Sequence, residues 1–186
     1  MKDEIILDLT MKADEAMDAL IRALGRVRTG RAHASMLDSI RVDYYGTKSP
    51  LNQVASVVVA DARLITVKPF DRSMTQEIER VLRSASDLGI SPQNDGEKIL
   101  LPIPPLTEDR RREFSKVAKS KGEEAKVSVR NARREANEAL KKAEKEAGLP
   151  EDDVKKAIDQ VQKMTDDYVK KIEDVVGKKE KEIMEV

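Results

Sequence analysis

The side chains that could do chemistry are few, and most stand alone. The chain carries one histidine, His33, and no cysteine, so it has no thiolate nucleophile, no cysteine-ligated metal and no second imidazole for a relay. His33 falls at the edge of a linker without a partner motif and reads as a surface residue. The carboxylate pairs Asp152-Asp153 and Asp166-Asp167 are chain neighbours, and neighbours on a helix point about 100° apart, so they do not converge on one atom. Gly89 to Gly96 has the glycines of a phosphate loop, but Asn94 and Asp95 mark it as a turn. Neither a Walker loop nor the dinucleotide fingerprint occurs. No catalytic group, no metal and no cofactor is expected, and the chain does not read as an enzyme.

What remains is cation chemistry. The 35 Lys and Arg balance 35 Asp and Glu, yet residues 107–146 hold thirteen bases to nine acids and residues 147–186 hold eight to eleven. Local excess governs binding more than the total. With Ala132 at zero on a helical wheel, Lys116, Lys119, Lys126, Arg130, Arg133, Arg134, Asn137 and Lys141 fall within roughly 100–200°. Asp109, Glu113, Glu124, Glu135 and Glu138 fall mostly within roughly 220–300°. Glu123 and Glu144 sit among the bases. A long solvated helix could be decorated this way, but arginine dominates the centre of the stripe, and its planar fork suits phosphate. A second cluster, Arg22, Arg26, Arg28 and Arg31, contains no acid. A basic stripe on a rod suits structured RNA, gripping phosphates without reading bases. Five aromatics (Tyr44, Tyr45, Phe70, Phe114 and Tyr168) are too few for a base-stacking platform.

The elements that must carry these cations follow from period and proline. Six of the seven prolines lie between residues 50 and 105. Before them, Ile6, Leu9, Ala13, Ala16, Leu20, Ala23 and Val27 recur every three or four residues, predicting one amphipathic helix over about residues 2–29, stopped at Gly30. After them, Thr107 is a suitable N-cap, and Ala118, Ala125, Val129, Ala132, Ala136, Ala139 and Ala143, with Phe114 above, mark a second helix ending at Gly148. Val154, Ile158, Val161, Thr165, Tyr168, Ile172, Val175 and Ile183 mark a third. Three seams imply a three-helix bundle. The middle alternates as strands over Ile40–Tyr44, Val54–Ala60, Leu64–Lys68 and Ile99–Ile103. A capping box at Ser73–Gln76 opens a short helix that runs through Leu88 to Gly89.

The expected fold class is therefore α+β in two domains. Residues 1–30 plus 106–186 form a long antiparallel three-helix bundle, and residues 31–105 an inserted β/α/β lobe. Hinges are expected near 30–33 and 103–106, at Gly30, Arg31, Pro104 and Pro105. No run of about 20 apolar residues spans a bilayer, and Lys2, Asp3 and Glu4 do not open a signal peptide, so no membrane partner and a cytoplasmic location are expected. A coiled-coil adaptor without any other activity is the rival reading. It needs a seam left over for a partner, whereas these seams can satisfy one another in a monomer.

Several segments carry a resemblance across the whole chain. Arg28-Thr29-Gly30-Arg31, Asp43-Tyr44-Tyr45-Gly46, Pro50-Leu51, Phe70-Asp71-Arg72-Ser73-Met74, Ser86-Asp87-Leu88-Gly89, Pro104-Pro105-Leu106-Thr107-Glu108 and Val129-Arg130-Asn131 with Arg133-Arg134 resemble the bacterial ribosome recycling factor family. The resemblance implies a translation factor that binds the large ribosomal subunit through its 23S rRNA. With elongation factor G and GTP, such a factor splits the post-termination ribosome and releases it from mRNA. It implies rRNA-facing roles for Arg28, Arg31, Arg130, Arg133 and Arg134, to which the charge stripe adds Lys119 and Lys126. His33-Ala34, Lys98, Glu135 and Pro150 depart from the family's usual residues.

Overall fold

A computed structural model describes residues 1–85 and 89–185; the predicted helical contribution of Leu88 and the motif at Ser86-Asp87 lie outside it. The chain divides into two units, one of Met1–Thr29 with Glu108–Glu185 and one of Gly30–Thr107. It crosses between them at Thr29-Gly30 and at Thr107-Glu108.

The first unit is built from α1 (Lys2–Gly25), α4 (Glu108–Ala147) and α5 (Glu151–Met184). Leu9 packs with Ala132, Ala136, Leu140, Val154, Ala157 and Val161, while Ala13 to Val27 pack with Ala118, Ala125, Val129, Ile172, Val176 and Ile183. Helix α4 is therefore antiparallel to both its neighbours. Its seam is mostly alanine, which lets the backbones approach. At Gly122 the approach is close: a Cβ there would lie 2.7 Å from Val176 Cγ2. The α4–α5 turn uses Gly148 at φ +67°, where a left-handed residue ends a helix cheaply, and Asp153 and Val154 donate their N–H groups to the Pro150 carbonyl.

Helix α1 is shorter than its periodicity suggests. It ends at Gly25, where Arg26 and Val27 N–H groups fall back three residues onto Ala23 and Leu24. A glycine costs about 1 kcal/mol in a helix interior, and here the helix stops instead of bearing that cost. Val27 stays buried all the same, in the irregular segment that leads to the linker.

The second unit comprises β1 (Arg41–Tyr44), β2 (Thr47–Pro50), α2 (Leu51–Val54), β3 (Ala55–Asp61), β4 (Leu64–Pro69), α3 (Thr75–Ser84), β5 (Gln93–Asn94) and β6 (Ile99–Pro102). Strands β1 and β2 form a hairpin, and the others an antiparallel sheet in the order β3-β4-β6-β5. Val42, Ile65, Val67, Ile78 and Ile99 are fully buried at its centre, each contributing roughly 1.5–3 kcal/mol. Asn94 and Asp95 accept backbone N–H groups of Gly96, Glu97 and Lys98, so the glycine-flanked segment is a turn held by its own side chains. The expected box does not form: Met74 stands at the N-cap of α3 without a side-chain hydrogen bond, and Asp71 instead caps the 3-10 turn Arg72–Met74 before it, accepting both the N–H and the hydroxyl of Ser73. Both connections to the bundle are pinned to one turn of the lobe. Ala32 N–H donates to the Ala62 carbonyl at 2.7 Å and Ile103 N–H to the Arg63 carbonyl at 2.8 Å.

Candidate nucleic-acid interface

The basic stripe of α4 resolves into two rows because α5 lies along one edge of it. The inner row faces α5. Lys119 Nζ meets Glu180 at 3.2 Å, a carboxylate that also accepts from Ser115. Lys126 Nζ meets Glu173 at 3.0 Å and Glu123 at 3.1 Å, and its side chain is only 15% exposed. Glu173 first, then Glu123, raises its pKa above the usual lysine value. Arg133 Nη1 donates to Gln162 Oε1 at 3.1 Å.

The outer row consists of Lys116, Arg130, Arg134 and Lys141. All four are exposed and make no ion pair among the described residues. The opposite flank of α4 faces α1: Glu135 takes Lys12 at 2.7 Å, and Lys12 also holds Asp8. Both carboxylates raise the pKa of Lys12, Asp8 the more strongly.

The two rows differ electrostatically. A lysine clamped between two carboxylates presents little net charge to a phosphate beyond it, whereas an exposed guanidinium presents a full charge and a fork of donors. Sequence periodicity places both rows on one flank; that Lys119 and Lys126 of the inner row meet carboxylates, while Arg133 meets an amide, depends on α5, whose residues are spaced on another helix. Arg28 belongs to the bundle and is exposed, at the end where α1 meets the start of α4; Arg31 belongs to the lobe. His33 is exposed, and no cluster of His, Cys, Asp or Glu that could hold a metal occurs among the described residues. Among the described residues, no helix is long and apolar enough to cross a membrane.

Residues 20–184 match the family model described as ribosome recycling factor. This chain belongs to the ribosome recycling factor family. The ribosome-recycling factor of Oleidesulfovibrio alaskensis is 54% identical over 184 residues, covering 99% of this chain and 100% of that one. That of Myxococcus xanthus is 50% identical over 186 residues, the full length of both. A solution structure of the ribosome recycling factor superposes with a TM-score of 0.77 at 34% identity, covering 100% of this chain and 98% of that one. A model of the T. thermophilus factor, with E. coli elongation factor G on the E. coli post-termination complex, gives 0.67 at 38% identity and full coverage of both chains. The α+β class, with long helices and a small β lobe, is the family's.

Proposed function

We propose that this protein works on the ribosome after termination. With elongation factor G and GTP it separates the subunits, and it holds the large subunit through phosphates of the 23S rRNA. The observation that supports this most directly is the exposed, unneutralised row of Arg130 and Arg134 on α4, in a chain related over its whole length to ribosome recycling factors. Such a row grips a phosphate track and positions the bundle without reading sequence. Arg133 adds a third guanidinium beside it, and Arg28 and Arg31 flank Gly30 where the chain leaves the bundle. Lys119 and Lys126 contribute mainly by fixing α5 against α4.

The chain itself does no chemistry in this reading; GTP is hydrolysed on the partner factor. Gly30, Arg31, Pro104 and Pro105 form the hinge through which a push on the lobe reaches the bundle. The protein acts in the cytoplasm as a monomer. The coiled-coil adaptor is disfavoured because the three seams are consumed in the bundle; sedimentation at about the 20.8 kDa of one chain is expected. The deciding experiment is light scattering from post-termination ribosomes given elongation factor G and GTP. Scattering should fall as subunits separate only when this protein is added; no dependence on it would overturn the reading.

A further inference from the structure

Three rungs join α4 to α5 in a single antiparallel register: Lys119 to Glu180, Lys126 to Glu173, and Arg133 toward Asp166. Each step moves seven residues forward on α4 and seven back on α5, or about two helical turns. The first two rungs are direct ion pairs, at 3.2 and 3.0 Å. At the third, an uncharged side chain intervenes. Arg133 Nη1 donates to Gln162 Oε1 at 3.1 Å, and Gln162 Nε2 donates to Asp166 Oδ1 at 2.8 Å. An amide has a donor end and an acceptor end. Asp166 takes the donor end, which turns the oxygen toward the arginine. The guanidinium is thereby oriented by a neutral acceptor and keeps its charge, with most of its five donors unused by that bond.

We propose that Gln162, backed by Asp166, is a positioning residue for phosphate binding. It holds the Arg133 fork in place without neutralising it, so that this rung receives an RNA phosphodiester where the other two receive a carboxylate. The proposal rests on the reading of α4 as the RNA-binding face and adds to it two residues of α5. A planar fork held from behind binds phosphate with less ordering to lose than a free arginine, because the side chain is already placed.

Two substitutions at one position separate this role from a structural one. Gln162→Glu gives the third rung the carboxylate of the other two. It should leave the melting temperature within about 2 °C of the parent. It should also weaken binding to purified large ribosomal subunits about tenfold and lower the slope of log affinity against log salt by about 0.7–0.9, one phosphate contact. Gln162→Ala leaves the charge but removes its support; affinity should fall about two- to threefold with the salt slope unchanged. In an Arg133→Ala background Gln162→Glu should change binding less than about twofold. If Gln162→Glu binds like the parent, or costs as much without Arg133 as with it, the positioning role is wrong. If Arg133→Ala itself binds like the parent, the RNA reading of this face fails instead.

Discussion

Arg133 and Lys126 lie two helical turns apart on one flank, yet one meets a neutral amide and the other two carboxylates. Arg133→Glu removes a fork from a partly exposed site away from the alanine seam, so stability should change by no more than about 0.5 kcal/mol. Large-subunit binding should be mostly lost, with a lower salt slope. Arg133→Lys should recover only part, since an ammonium keeps the charge without the plane. Circular dichroism and a salt titration of binding check both. The control is Glu138→Gln, exposed and outside any ion pair among the described residues. Glu135, on the same acidic flank, would be a poor control because it holds Lys12. A second test at this scale uses pH. Burial first, then the Asp14 carboxylate accepting its hydroxyl at 2.6 Å, pushes Tyr168 up to about 12. A raised folded-state value means that this contribution to stability is complete below the ordinary tyrosine value near 10 and is lost as pH rises toward 12. Tyr168→Phe should be slightly less stable at pH 8 and should flatten the decline of the melting temperature between pH 10 and 12. An unchanged alkaline slope would refute the assignment.

At the scale of elements, Gly122 decides how closely α4 and α5 pack. Alanine there gains about 1 kcal/mol of helix propensity but places a methyl 2.7 Å from Val176 Cγ2. Valine on a helix has essentially one rotamer, so it cannot turn aside, and overpacking costs about 1–3 kcal/mol. Gly122→Ala should therefore lower the melting temperature, and adding Val176→Ala should restore part of the loss; a more stable single variant would contradict this packing. Gly122 also marks the limit of the sequence reading. The bundle was legible because seven-residue apolar spacing survives on three proline-free helices. Seam positions went astray where a small residue and a larger neighbour compete: Leu24 and Leu140 are buried where Ala23 and Ala139 were expected, and both alanines are half-buried. The strand β2, the single turn α2 and the two-residue β5 had no periodicity to show, being too short for one. The basic flank was legible as a flank. The pairing of Lys119 and Lys126 with carboxylates, against the open row beside them, was not, because that depends on acids of α5 brought opposite by tertiary register.

At the scale of the molecule, the coupling proposed above would run through the two connections between units. Gly30 sits at φ +74° with Leu106 Cγ 3.3 Å from where a Cβ would stand, so the two connecting segments touch within the lobe and Ala32 and Ile103 are both tied to its β3–β4 turn. The proposed hinge, Gly30, Arg31, Pro104 and Pro105, lies just on the bundle side of those ties. Pro105→Gly should loosen them, leaving large-subunit affinity within about twofold while slowing subunit separation; equal losses in both would make the connection a mere spacer. The central claim is that the open arginine row of α4 grips the large subunit. The most direct measurement is equilibrium binding of Arg130→Glu/Arg134→Glu to purified large subunits, with melting temperature measured on the same preparation. The account predicts a parent-like melting temperature and affinity reduced at least a hundredfold, since two charge-assisted contacts of about 1.5–3 kcal/mol each are lost. Parent-like affinity in a folded double variant would contradict it.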